Sequence, residues 1–229
     1  MVDQIQAVGT GPAVFLPADF SSLAEVRRLA KVVFQTCNRL DVLINNAGIG
    51  SSGATGKRET SQDGYELRFA INYLAGFLLT RLLLPLMMAS KPARIVNVSS
   101  LGQHPIDFDD VMLTHGYTGG RAYAQSKLAQ IMFTFDLAGE LDPATVTANC
   151  LHPATYMATT MVLQSGVTPI STVDEGAKAI VNLAISEDLD GHSGEFYNGL
   201  RPSRANAQAY DVLARERLRQ LSVCLASLT

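Results

Sequence analysis

Tyr123 and Lys127 stand four positions apart in "RAYAQSKLAQ" (121–130), and positions i and i+4 share one face of a helix. A phenol beside an ammonium can be an acid–base device. A carbonyl that receives hydride needs a proton delivered to the forming alkoxide, and the reverse reaction needs that proton removed. Free tyrosine ionises at about pH 10, too high to be useful near neutrality, and a nearby positive charge favours the phenolate. A hydroxyl donating to the substrate oxygen would complete the set as an oxyanion-type stabiliser. Ser99 and Ser100, at the end of "RIVNVSS" (94–100), both qualify. Taken alone, the pair has a plainer account, with Tyr123 as a packing residue and Lys127 as a solvated helix charge.

Such residues need elements to position them, and the chain alternates short β-type runs with helical patterns. "AVFLP" (13–17), "DVLIN" (41–45), "RIVNVSS" (94–100), "VTANCL" (146–151) and "GEFYN" (194–198) read as five strands. Helices are predicted over 21–37, where Leu23, Val26, Leu29, Ala30, Val33 and Cys37 recur at helical spacing, and over 63–88. Others are the stretch carrying Tyr123, then 172–186, and the amphipathic C-terminal run. Ser22 with Glu25, and Thr172 with Glu175, have the spacing of a capping box. This alternation predicts an α/β fold: a mostly parallel sheet between helix layers, a three-layer αβα arrangement in one domain over 1–229. All strand C-termini then share one edge, where ligands bind in this architecture. "NNAG" (45–48), "NVSS" (97–100) and "LHPAT" (151–155) each fall on that edge. Any strand end needs turn residues, but three small polar segments converging on one rim make a site.

Composition narrows the function. The 229 residues are 47% apolar and 17% charged with a net charge of −3, an ordinary globular balance without the basic blocks of a nucleic-acid binder. Cys37, Cys150 and Cys224 lie far apart, with no CxxC or Cys/His metal spacing. The expectation is no metal site, and thiols in a reducing, cytoplasmic compartment. "MVDQIQAVGTG" (1–11) has neither the basic nor the apolar region of a signal peptide. "GFLLTRLLLPLMM" (76–88), carrying Arg81 and Pro85, reads as too short for a membrane span and therefore as a core helix. GxSxG and HExxH are absent, and His152 has no evident acidic partner, so hydrolase and zinc chemistry find no support.

"NNAG" (45–48), Asn72 within "FAINYLAGF", "RIVNVSSLG" (94–102) and "AYAQSK" (122–127) come in one order, each on its strand or helix. In that order and context they resemble the short-chain dehydrogenase/reductase family, from about residue 13 to the C-terminus. "PIDFDDVMLTHGYTGG" (105–120) before Tyr123, and "SKLAQIMFTFDLAGEL" (126–141) after it, resemble the retinol-dehydrogenase-like branch. The resemblance implies a Rossmann-like fold, NADP or NAD as cofactor, and a small-molecule carbonyl or alcohol substrate. It implies Tyr123 as general acid/base and Ser100, the second of the serine pair, as donor to the substrate oxygen. Lys127 would hold the nicotinamide ribose and lower the Tyr123 pKa, and Asn72 would support a water relay to Lys127. The implied cofactor contacts are Asp19 near the adenine, Asn45, Ala47 and Gly48 along the adenine ribose, and Pro153 and Thr155 at the nicotinamide. A turn-forming role explains Asp19 equally well. Ala154 and Ala158 replace a Gly and a Thr usual in the family, which leaves the amide contacts to Thr155 or Thr159. Family members often dimerise through helices starting near Asp63 and Arg121, so the resemblance admits a homodimer.

One family motif is missing. The TGxxxGxG turn, whose backbone N–H groups hold a pyrophosphate, is absent; Gly9 and Gly11 lead into a strand pattern rather than out of one. "DQIQAV" (3–8) resembles the tail of the helix that precedes that strand. The expectation is a shortened form without the first two strands of the family, with weakened cofactor affinity. Residues 13–17 would then pair with 41–45, or detach, or leave an edge that recruits another chain. The rival from a different class is a non-catalytic binding or scaffold protein of the same fold that has lost its cofactor. The absent turn, Ala154 and Ala158 favour it; the intact Ser–Tyr–Lys set opposes it.

Overall fold

The structure, a computed structural model, describes residues 2–9, 11–51 and 57–228. The last part of the Gly/Ser-rich loop read at 48–56, residues 52–56, lies outside them.

Four strands run parallel in the order β1 (Val42–Asn45), β2 (Ala93–Val98), β3 (Val146–His152), β4 (Phe196–Asn198), and β5 (Arg201–Ser203) returns antiparallel to β4. The central strands are apolar on both faces, as a sheet covered on both sides requires. Ala93, Ile95, Val146, Ala148 and Cys150 point into one core; Val96, Val98 and Leu151 point into another. The larger core is closed by α2 (Leu23–Thr36), α3 (Ala75–Ser90), α4 (Gly119–Glu140) and α7 (Val212–Leu225), the smaller by α6 (Val173–Ile185). This is the expected layered α/β architecture. The register sets Asn45 beside Asn97, Val98 beside Leu151 and His152 beside Asn198, so the predicted edge forms.

Several expectations are corrected. Residues 13–17 form no strand. They run as irregular chain with Val14 76% and Phe15 70% exposed, and β1 pairs, among the described residues, only with β2. An apolar run becomes a strand only where a neighbour completes its ladder, and here detachment is the outcome. Preceding it, α1 (Val2–Val8) is helical, as its pattern suggested, but buries nothing. The Thr172–Glu175 capping box forms with both hydrogen bonds, whereas Ser22 makes no side-chain cap. There Asp63 accepts from the Leu23 N–H at 2.9 Å, and Glu25 pairs with Arg28 instead.

The helix expected over 63–88 begins later and carries a π-turn, Phe69–Leu74, directly before α3. The continuous run Phe69–Ser90 is 22 residues, long and apolar enough to cross a membrane. The length argument against a span therefore fails; burial within the fold makes this a core helix.

Candidate active site

Ser100 stands just beyond the tip of β2, and Tyr123 on the first turns of α4. Thr118 caps α4 by accepting from the Arg121 N–H at 3.1 Å. Ser99 ties the helix to the strand: its hydroxyl donates to the Lys127 carbonyl at 2.7 Å. That bond consumes Ser99 and leaves Ser100 facing the phenol. A Cβ built on Gly102 would lie 3.5 Å from Ser100 Oγ and 3.7 Å from Tyr123 Cε1, so both groups address one point beside a glycine. Ser100 Oγ itself accepts from the Gly102 N–H at 3.0 Å.

Lys127 is buried one turn further on. Its Nζ donates to the Val98 carbonyl (2.8 Å) and to Gln130 Oε1 (2.9 Å), and lies 5.8 Å from the centroid of the Tyr123 ring. Burial lowers its pKa from 10.5 to about 8, because neither partner carries a compensating negative charge. Burial also raises the Tyr123 pKa, opposed by the Ser100 hydroxyl. The expected lowering of the phenol by Lys127 is therefore not what this geometry produces: desolvation outweighs an ammonium that is itself held toward its neutral form.

Asn72 sits in the π-turn, a feature often found at functional sites. Its amide clasps Ile49, accepting from the Ile49 N–H (2.8 Å) and donating to the Ile49 carbonyl (3.1 Å), and also donates to Ser126 Oγ (3.0 Å). It therefore shapes the "NNAG" loop and makes no direct bond to Lys127. A Cβ on Gly48 would stand 3.2 Å from Asn72 Oδ1 and 3.6 Å from Lys127 Nζ, so a side chain there would crowd Asn72 and narrow the approach to the backbone. Gly48 also opens onto a cleft of about 410 Å³, whose lining includes Ile49, Gly50, Arg68, Met161 and Gln164.

The other expected cofactor contacts divide. Asn45 is turned inward: its Nδ2 donates to Thr80 Oγ1 (2.9 Å) and Asn97 Oδ1 (2.8 Å), so this side chain serves the core. Asp19 accepts from the Ser21 N–H (2.8 Å) and from Gln62 Nε2 (3.0 Å), which lowers its pKa and realises the turn-forming alternative. Ala47 is exposed beside Gly48, and Pro153 is buried after β3. Thr155 Oγ1 pairs with His152 Nε2 at 2.9 Å, which gives His152 a positioning partner rather than an acid. At its reactive end a nicotinamide dinucleotide would meet Gly48, which opens onto the cleft and whose missing side chain leaves room beside Lys127 Nζ. Toward the adenine, Asn45 and Asp19 are already engaged. Gln130, Ser126 and Arg68 were missed by sequence reasoning. Gln130, three residues after Lys127, carried a signal in its helical spacing; Arg68 carried none beyond being a charge in an apolar helix.

The profile of the short chain dehydrogenase family matches residues 1–167. Retinol dehydrogenase 14 of Homo sapiens is 35% identical over 234 residues, covering 96% of this chain and 68% of that protein. Retinol dehydrogenase 13 of Homo sapiens is 35% identical over 218 residues, covering 87% of this chain and 64% of that protein. The chain therefore spans about two-thirds of the length of these relatives. Among solved structures, an uncharacterized protein from Mycobacterium Paratuberculosis superposes with a TM-score of 0.75 at 26% identity, covering 98% of this chain and 80% of that one. The Pseudomonas aeruginosa RhlG/NADP active-site complex gives 0.61 at 26% identity, covering 86% and 78%. The chain belongs to the short-chain dehydrogenase family, a family of oxidoreductases. Within it, its similarity runs to the retinol dehydrogenases.

Proposed function

We propose that the protein interconverts a carbonyl and an alcohol with NADP or NAD, using Tyr123, Ser100 and Lys127. The observation that carries this reading is the approach of Ser100 Oγ and the edge of the Tyr123 ring to Gly102, with Lys127 Nζ 5.8 Å from the centroid of the same ring. The cofactor, when bound, supplies or accepts hydride. Ser100 donates to the substrate oxygen and orients it. Tyr123 delivers the proton to that oxygen during reduction, and its raised pKa keeps it protonated through neutral pH for that task. Lys127 holds the ribose side of the site through its remaining donor, and Gly48 lets ligand approach it.

The names of the relatives, with the cleft beside Ile49 and Met161, support an apolar alcohol or aldehyde such as retinol or retinal as substrate. The test is turnover of retinal with NADPH and with NADH by the wild type and by Tyr123→Phe. Reduction that falls at least about 100-fold in the variant supports the role, since a positioned acid typically contributes that much; equal rates reject it.

The second reading, a scaffold without cofactor, is favoured by the inward engagement of Asn45 with Thr80 and Asn97. Titration with NADPH and NADH separates the two: absence of binding to either supports the scaffold.

A further inference from the structure

The largest fully buried side chain among the described residues is a charged one, Arg68, at 1% exposure. Its guanidinium joins three segments. Nε donates to the Gly50 carbonyl at 2.9 Å and Nη2 to the Ser51 carbonyl at 3.4 Å, both on the loop after β1. Nη1 donates to the Tyr117 hydroxyl at 2.7 Å, at the end of the insertion that leads into α4. Glu66, equally buried, balances the charge with its Oε1 3.6 Å from Arg68 Nη1. It accepts from the Tyr117 hydroxyl at 3.3 Å and from the Phe69 N–H at 2.7 Å, at the start of the π-turn that carries Asn72. The same loop presses on α4, because a Cβ on Gly119 would overlap the Ser51 carbonyl oxygen and come within 3.8 Å of Arg68 Nη2.

Dehydrating an ion pair is costly, and a well-packed apolar pair of similar volume often serves stability as well. Core filling alone therefore does not account for Arg68. Its donors reach backbone carbonyls that only a fork of this length and planarity can span together, and it lines the cleft at Gly48–Gly50.

We propose that Arg68, with Glu66 and Tyr117, is a positioning latch: it fixes the loop after β1 relative to the first turn of α4, and so sets the width of the cleft at Gly48–Gly50. This rests on the reading of Tyr123 and the cleft given above. Arg68 borders the cleft but is 1% exposed, so it offers a bound molecule almost no surface. It acts through the loop that Asn72 clasps from the other side.

The test compares Tyr117→Phe, Arg68→Lys and the charge-removing pair E66Q/R68M in the full chain. The double variant keeps an acceptor for the Phe69 N–H and guards against misfolding caused by one unpaired buried charge. Two readouts are taken: KM and kcat for retinal with NADPH, and hydrogen exchange at the Ile49–Ser51 amides and at Arg121–Tyr123. The latch requires KM to rise 10-fold or more with kcat falling less than 3-fold. It also requires faster exchange at both segments together, with α7 unchanged. A lowered Tm with wild-type KM in the folded variants would make Arg68 merely structural and overturn the proposal. If the wild type shows no turnover, the oxidoreductase reading fails separately, and exchange alone decides. Loosening of both segments supports the latch; loosening of one or neither overturns it.

Discussion

At the scale of single residues, the site is a set of groups held out of water, and Lys127 shows what that costs. Its pKa is about 8 in the fold against 10.5 for the free side chain, so the unfolded chain binds its proton more tightly. The sign follows. Below pH 8 both states are protonated and the full penalty is present; between 8 and 10.5 the folded state sheds its proton first and the penalty is relieved. At about 1.4 kcal/mol per unit, the protein gains roughly 3 kcal/mol over that window, other groups being constant. Lys127→Met carries no such charge, so the stability difference between wild type and variant, measured by urea denaturation from pH 7 to 10.5, is expected to move toward the wild type by about that amount. A flat difference would mean that water reaches Nζ freely. Tyr123 titrates in the opposite sense. With its pKa raised by burial, carbonyl reduction should stay level through neutral pH, while alcohol oxidation, which needs the phenolate, should climb until above the ordinary tyrosine value. Initial rates in both directions between pH 6 and 11 check this, and a plateau of oxidation near pH 8 would contradict it.

At the scale of elements, the loop after β1 and the segment after β3 are packed against glycines in two different ways. A Cβ on Gly119 would overlap the Ser51 carbonyl oxygen, which is backbone and cannot step aside. A Cβ on Gly176, in α6, would overlap Met157 Sδ, on a flexible side chain. Gly119→Ala should therefore cost about 1–3 kcal/mol as overpacking, despite alanine's advantage in a helix. Gly176→Ala should be neutral or gain up to about 1 kcal/mol, because the thioether swings away and helix propensity improves. Equilibrium denaturation of the two variants decides, and equal losses would refute the distinction. The same local physics explains what was legible in the sequence. β1 to β3 stand within about two residues of their apolar runs, the Thr172 capping box forms, and Tyr123 and Lys127 share a helix face as their spacing implied. Residues 13–17 misled because hydrophobic pattern reports appetite for burial, not the presence of a neighbouring strand. β5 escaped notice because Arg201, Pro202 and Ser203 are all exposed and show no alternation. The π-turn around Asn72 was invisible because one inserted residue in a helical turn leaves the composition unchanged, and the fate of Asn45 depended on Thr80 and Asn97, remote in the chain.

At the scale of the whole molecule, the C-terminal helix closes the core on the face away from α6. Leu218 is buried in the main core, and the turn after α7 is tied back to distant elements. The Tyr65 hydroxyl donates to the Leu225 carbonyl at 3.0 Å, and Arg27 donates to the Ala226 carbonyl. The deepest tie is Tyr73 with Ser222, 2.6 Å apart, both buried. Ser222 Oγ spends its proton on the Leu218 carbonyl at 2.7 Å, so Tyr73 is the donor to Ser222. Burial lifts the Tyr73 pKa well above the ordinary tyrosine value, which keeps that proton in place through neutral pH. The two halves of the bond are therefore not equivalent. Ser222→Ala strands a buried phenol without an acceptor and should cost about 1–3 kcal/mol, whereas Tyr73→Phe leaves Ser222 bonded to its own helix and should cost about 1 kcal/mol or less. Both act on closure of the core by α7; Ser222 is far in sequence from the cleft, so for Ser222→Ala the KM for any substrate or cofactor should stay within about 2-fold of wild type. Paired urea denaturation and steady-state kinetics on the two variants test the asymmetry. A larger loss from Tyr73→Phe than from Ser222→Ala would reverse the donor assignment, and with it the account of how the last helix is fastened.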